Sequence, residues 1–286
     1  MYRNAARANP FHSLYSDESA YFLVVSNNAG KRIVSTKKED ANLKDEAYHL
    51  AEERIVFTEQ YSYNNIIGLV PLIQQSYFEN GEGRTGNFIV SDTIANFQFN
   101  FKNRFLESDI KPVITYQING RSRILHQLVT SFGEQDSTFF MVQPFGTSTK
   151  QKIIDNRYIQ NETVHVSLAA TKSDPLDWYS MTYIQAVYPQ LFLMSGQSQK
   201  YFNLKNSNEA YSIYIKDLNT NAMVWDISNS RNPVQILANS DQRFIVNNSN
   251  NSTKLVATQQ LQKVQNIEAI QLDKVDDSKA DNTIIT

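Results

Sequence analysis

Residues 113–142, VITYQINGRSRILHQLVTSFGEQDSTFFMV, contain the pattern that decides the fold. Short runs in which apolar and polar residues alternate are typical of half-buried strands. Val113–Ile118, Arg121–Val129 and Ser137–Val142 have this character. Asn119-Gly120, between the first two runs, is the dipeptide most favoured in two-residue hairpin turns. We therefore predict three strands here, the first two joined as a β-hairpin.

The same rhythm extends outward in both directions. Strand-like runs recur at spacings of about 10–15 residues, with turn residues between them and no alternation of strands and helices of the βαβ kind. This spacing predicts an all-β fold, an antiparallel jelly-roll or β-sandwich domain followed by a second small β-sandwich. The further predicted strands are Arg54–Thr58, Ile94–Phe101, Thr149–Ile154, Thr163–Ala169, Met181–Val187, Leu191–Ser195, Gln199–Leu204, Tyr211–Ile215, Met223–Ile227, Val234–Ile236, Arg243–Val246 and Lys254–Thr258.

The predicted domain bounds follow from these runs. We assign residues 1–188 to the first β-sandwich, 189–266 to the second, and 267–286 to a linker and the first strand of a further domain. The first domain would begin with a hairpin of Tyr21–Val25 and Lys31–Thr36. It would also contain a short helix within 61–78 and a glycine-rich surface turn at 80–86.

Composition excludes several kinds of protein. The 27 Lys and Arg residues nearly balance the 29 Asp and Glu residues, which argues against a nucleic-acid binder held by a broad basic face. The absence of cysteine excludes a disulfide scaffold, a thiolate metal site and a cysteine nucleophile in this chain. No stretch approaches the roughly 18 apolar residues of a membrane span. We predict no cofactor, no metal and no nucleic-acid partner.

Candidate ligand-binding residues lie in Asp174-Pro-Leu-Asp-Trp-Tyr179. The rings of Trp178 and Tyr179 could form a sugar-binding platform, with Asp174 and Asp177 beside them. A structural loop followed by core aromatic residues explains the same pattern. Asp174 with Asp177 or Glu162 could also be the carboxylate pair of a glycosidase, and the two aspartates could hold calcium, although the other ligands of a calcium loop are not evident.

Two further features are best explained as structural. His126 and His165 each lie on a predicted strand, and no other metal ligand is suitably spaced, so we predict hydrogen-bonded structural histidines. Val224–Ile236 has a strand–turn–strand pattern in which Asp226 and Ser228 can hydrogen-bond the turn backbone.

Several segments together resemble the region before the catalytic domain of gingipain-type cysteine peptidases of Bacteroidetes, most closely the surface sortase of the type IX secretion system. Val224–Ile236 resembles the family's segment "WDIT-x-P-x-NP-x-x", and Lys279–Thr286 resembles "aDyiIIT", the first strand of its caspase-like domain. The other similar segments are Leu14–Val25 with Gly30–Ile33, and Asp177–Ile184 with Tyr188–Leu191, in which Gln190 stands where Arg is common.

This resemblance implies a non-catalytic region of an exported peptidase, at the cell surface, in the outer membrane or outside the cell. The family's catalytic His and Cys lie downstream of 279–286, so no catalytic residue is assigned here. The expected partner is the chain's own downstream peptidase domain, with other secretion-system subunits or substrate proteins as further candidates. The parent would be a sortase, a secreted protease or an inactive relative. Residues 1–19 lack the apolar region of a signal peptide, which we attribute to a trimmed chain rather than to a cytoplasmic protein. The alternative function is a carbohydrate-binding jelly-roll module.

Overall fold

The computed structural model describes residues 7–11, 27–40, 42–62, 81–207, 209–246 and 253–261. Nearly all of the regular secondary structure in these residues is β-strand, which confirms the predicted all-β, sandwich-like fold. The strands are β1 (Val34–Lys37), β2 (Tyr48–Val56), β3 (Gln60–Ser62), β4 (Gly83–Thr85), β5 (Ile89–Val90), β6 (Ala95–Asn100), β7 (Val113–Gly120), β8 (His126–Phe132), β9 (Gln135–Val142), β10 (Thr147–Ile153), β11 (Thr163–Ala170), β12 (Trp178–Leu191), β13 (Gln199–Asn203), β14 (Tyr211–Ile213), β15 (Met223–Asp226), β16 (Val234–Leu237), β17 (Phe244–Val246) and β18 (Lys254–Thr258).

The first sandwich pairs two antiparallel sheets. One has the strand order β6-β11-β8-β9, and the other has the order β10-β7-β12-β2 with β5 beside β12. Their inner faces meet in one hydrophobic cluster that includes Tyr116, Leu128 and Leu168. Strand β8 buries every second residue, as the alternating sequence predicts. The hydroxyls of Tyr116 and Thr130 share a hydrogen bond of 2.6 Å between the sheets, so the buried phenol is not left unpaired.

The second hydrophobic cluster lies between a sheet of order β1-β16-β15-β18-β13 and the pair β14-β17. Val224 pairs with Ile236 across β15 and β16, which confirms the predicted strand–turn–strand. Asp226 Oδ1 accepts hydrogen bonds from both the backbone N–H and the hydroxyl of Ser228, as the sequence predicted. Strand β1 is added in parallel at the edge of β16, although it comes from the N-terminal part of the chain.

The predicted hairpin at Asn119-Gly120 is wrong. Strand β7 pairs with β10 and β12, whereas β8 belongs to the opposite sheet, so the intervening residues form an arch between sheets. Gly120 is required for another reason: a Cβ placed there would lie 2.5 Å from the His126 ring. The glycine allows the His126 ring to lie close to the backbone at residue 120, and it is not there to form a turn.

The glycine-rich segment is also not the predicted surface turn. Residues 83–85 form strand β4, and Gly81, Gly83 and Gly86 are buried. A Cβ on Gly86 would lie 2.8 Å from the carbonyl oxygen of Met181 in β12. The glycines therefore allow this segment to lie against the backbone of the central strand.

Other predictions fall partly or wholly outside the described residues. These are Tyr21–Val25 of the N-terminal hairpin, most of the helix predicted within 61–78, and residues 267–286. The predicted boundary at residue 188 falls inside β12, which continues to Leu191. The domain bounds remain a prediction. Among the described residues there is no helix with the length and hydropathy of a membrane span.

Candidate functional site

The four predicted platform residues lie where the chain enters β12. Trp178 and Tyr179 pair with Val90 and Ile89 of the short strand β5. Consecutive strand residues point to opposite faces. As a result Trp178 is 41% exposed, whereas Tyr179 is 0% exposed and belongs to the hydrophobic cluster. Burial raises the pKa of Tyr179 to about 12, and only Trp178 presents its ring to a ligand.

Trp178 lies in a small exposed aromatic patch. Its ring centroid is 6.0 Å from that of Phe88, and the Arg121 guanidinium carbon lies 3.5 Å from the Phe88 ring centroid. The indole N–H donates to the carbonyl oxygen of Pro175 at 2.9 Å, which orients the ring. We call Phe88, Val90, Leu176 and Trp178 the Trp178 patch; all four are exposed. A patch of this kind offers apolar contact area with restricted rotamers.

Asp174 organises the loop before β12. Its carboxylate accepts the backbone N–H of Leu176 at 2.9 Å. Its backbone N–H and carbonyl oxygen both bond the hydroxyl of Ser91, at 2.8 Å and 2.7 Å. This is the pattern of a side chain that closes a turn. Asp174 therefore has a structural role in holding the loop that carries Trp178.

Asp177 is buried and paired with His126. Its Oδ1 lies 2.5 Å from His126 Nδ1, and the side chains of the two residues are 6% and 0% exposed. A carboxylate oxygen accepts, so this contact is a hydrogen bond donated by Nδ1–H of His126 to Asp177. Within the described ranges Nε2 is buried without a hydrogen-bond partner. The prediction of a hydrogen-bonded structural histidine is confirmed for His126.

Glu162 and Asp174 do not form the carboxylate pair that the sequence suggested. Glu162 immediately precedes β11, whereas Asp174 is bonded to Ser91 beyond the opposite end of that strand. Eight strand residues span about 25 Å, which exceeds the roughly 5–9.5 Å between the carboxylates of a glycosidase. No cluster of three or more His, Cys, Asp or Glu residues that could hold a metal occurs in the described part of the chain.

Three residues that contribute to this site were not predicted from the sequence. Phe88 belongs to the Trp178 patch, Arg121 lies against the Phe88 ring, and His126 binds Asp177 from a position 51 residues away in the chain. Val90 and Trp178 are brought together by the pairing of β5 with β12. A β5 of only two residues gives no periodicity that a reader of the sequence could detect. His165 is exposed on the outer face of β11, with Nδ1 3.4 Å from Gln98 Nε2.

The sequence matches no protein-family model and no curated protein. The fold is similar to that of a solved structure, the dimeric latent PorU from Porphyromonas gingivalis. The TM-score is 0.54 at 10% sequence identity, and the match covers 80% of this chain and 22% of the PorU chain. The chain therefore spans about a fifth of the protein that it resembles. At this identity the similarity shows a shared β-sandwich fold and nothing further.

Proposed function

We propose that this chain is a non-catalytic structural and interaction region of an exported gingipain-like peptidase, similar to the type IX secretion sortase. The observation that carries the proposal is the PorU-like fold over 80% of the chain. We take PorU as the structural counterpart of the family that the sequence segments resemble. In this view the chain packs beside a peptidase domain of its parent protein at the cell surface.

The Trp178 patch supports an interaction role. Aromatic residues and arginine are enriched in protein interfaces, and rigid aromatic rings supply contact area at low entropic cost. Here the Phe88 ring contacts both the Arg121 guanidinium and the Trp178 ring, and Arg121 is anchored by donating to the carbonyl oxygen of Tyr61 at 2.9 Å. The patch is therefore preorganised. We infer that it contacts the parent's peptidase domain.

A carbohydrate platform at Trp178 has less support. The flat two-ring surface that the sequence predicted would need Tyr179, and the Tyr179 ring is enclosed in the core. Asp177, the second polar group of that platform, is bonded to His126 below the surface. The remaining exposed side chains of the patch are mainly apolar.

The first test is the reading frame beyond residue 286, where we expect a caspase-like domain with its His and Cys. The purified chain is then mixed with that domain, and binding is measured by biolayer interferometry. Trp178→Ala should weaken binding tenfold or more, since central aromatic residues are common interface hot spots at about 2 kcal/mol. Tyr201→Ala removes a similarly exposed ring from β13 and should leave affinity unchanged.

Two outcomes would overturn the proposal. One is a parent gene that encodes no peptidase domain. The other is peptide hydrolysis by the chain alone, measured with fluorogenic peptides in reducing buffer.

A further inference from the structure

The outer face of strands β6, β11 and β8 carries mainly polar side chains without a formal charge. Register places Asn96 and Gln98 of β6 opposite Ser167 and His165 of β11, and Ser131 of β8 opposite Ser167. Strand neighbours lie about 4.8 Å apart, and alternate residues along a strand about 6.8 Å apart. The face is therefore a regular grid of amide, hydroxyl and imidazole groups.

One end of this face is closed into a cleft of about 470 Å³. One wall is the β8–β9 turn, and the other is the segment from the 3-10 turn at Asn156–Tyr158 to the start of β11. The residues that line the cleft are Asn96, Gly133, Glu134, Arg157, Tyr158, Gln160, Thr163, His165 and Ser167.

Both walls are held in place by backbone hydrogen bonds. Gly133 N–H donates to the carbonyl oxygen of His165 at 2.7 Å. Tyr158 N–H donates to the carbonyl oxygen of Asp155 at 3.0 Å, and Gly133 lies close enough that a Cβ there would be 3.6 Å from Tyr158. The guanidinium carbon of Arg157 lies 4.6 Å from the Tyr158 ring centroid. The cleft and its ring therefore exist before any ligand arrives.

The outer face of β6 and β11 forms the floor of the cleft. Its side chains favour some classes of ligand over others. A peptide bound by strand addition needs an unpaired strand edge. The edge strand nearest the cleft is β6, which contributes only Asn96 to the lining, whereas β11, which contributes Thr163, His165 and Ser167, is paired on both sides. An anion needs converging cations, but Arg157 is accompanied at the rim by Glu134, and it interacts with Asp155 at 3.9 Å. Apolar ligands favour apolar linings, which this floor does not provide.

Sugars fit all these features. Each sugar hydroxyl both donates and accepts hydrogen bonds, and the Asn and Gln amides and the Ser and Thr hydroxyls of the floor do the same. The Tyr158 ring can cover the C–H face of a pyranose. We propose that this cleft binds a neutral oligosaccharide, with Tyr158 as the stacking residue and Asn96, His165 and Ser167 as hydrogen-bonding residues. This activity is separate from the peptidase-docking role proposed above and uses a different face.

The test uses the full chain on an array of neutral and acidic oligosaccharides, followed by calorimetric titration with the strongest neutral binder. Tyr158→Ala and Ser167→Ala should each weaken binding tenfold or more. Tyr214→Ala, which removes another solvent-exposed ring, should bind as the wild type does. Circular dichroism melts establish that each variant is folded. Tyr158 and Ser167 are only partly buried, so we expect melts close to wild type.

The proposal is overturned if no neutral glycan binds, if acidic glycans are preferred, or if binding is equal in the wild type and both cleft variants. A result in which Trp178→Ala alone abolishes sugar binding also overturns it, because the ligand would then lie at the Trp178 patch. Binding to a peptidase domain is measured separately and can fail or succeed independently.

Discussion

Two of the histidines that the structure describes are completely buried, His126 in the first sandwich and His49 where strand β2 meets the second hydrophobic cluster. His126 has a carboxylate partner, Asp177, at 2.5 Å. His49 has a neutral partner, Gln190 Oε1, at 3.2 Å from Nε2, and its ring lies 4.8 Å and 5.3 Å from those of Phe202 and Phe192. His126 is hydrogen-bonded to a carboxylate, whereas His49 is enclosed by aromatic rings and an amide.

His49 shows how burial affects the pKa of an imidazole ring. Burial, followed in size by the positive charge of Lys200, lowers the pKa of His49 from 6.5 to about 3. His49 is therefore neutral at physiological pH and serves as a polar link between strand β2 and the aromatic residues of the second cluster. His126 instead joins the start of β8 to the loop before β12 through Asp177.

The largest expected effect is the pH dependence caused by His49. The folded state holds the neutral ring, while the unfolded chain binds a proton at a pKa near 6.5. The stability contributed by the neutral ring is therefore complete above pH 6.5 and is lost as the pH falls from 6.5 toward 3. The loss is on the order of 5 kcal/mol at most. Urea unfolding at several pH values gives the free energy of unfolding at each pH. Between pH 6.5 and 3 this free energy should fall less steeply for His49→Leu than for the wild type. Equal slopes would mean that His49 is not the group responsible.

Removing the carboxylate partner of His126 should have the next largest effect. Asp177→Ala leaves a buried imidazole N–H without an acceptor, which costs about 3 kcal/mol. Asp177→Asn keeps an oxygen acceptor at the same place and should cost clearly less. The free energies of unfolding of the two variants are compared at pH 7. Equal losses for both would contradict the hydrogen bond between Asp177 and His126.

Gly120→Ala should destabilise the fold by about 2 kcal/mol through overpacking. The new methyl group would meet the His126 ring at 2.5 Å and the carbonyl oxygen of Gln143 at 2.8 Å. In a His126→Ala background the same substitution should cost less, because the ring is gone. A double-mutant cycle measures this coupling, and strict additivity would show that the close approach has no energetic consequence.

The smallest effect is expected for Trp178→Ala, next to Asp177 in the chain. The ring is 41% exposed and contacts Phe88 at the surface, so its loss should cost about 1 kcal/mol. Thermal unfolding would check this value. A loss as large as that of Asp177→Ala would place Trp178 in the folding core rather than on a contact surface.

The histidines also illustrate what a sequence can reveal. The alternation around His126 and His165 placed both on strands, and both are there. It did not reveal that one points inward to Asp177 and the other outward to Gln98, because the partners lie 51 and 67 positions away. The Asn119-Gly120 prediction failed for a related reason. The glycine was needed by a ring from the facing sheet, and a local turn rule has no access to that contact.

Sequence alone determined the strand-rich class, because period-two alternation and turn residues are local consequences of pleated geometry. It also determined the turn in which Asp226 holds Ser228, since both partners lie within three residues. Tertiary packing alone set which strands share a sheet, that β1 joins β16 across 200 residues of chain, and which polar side chains line the cleft beside Tyr158. Those outcomes depend on how buried faces pair over long separations, and such pairing is a property of the packed molecule.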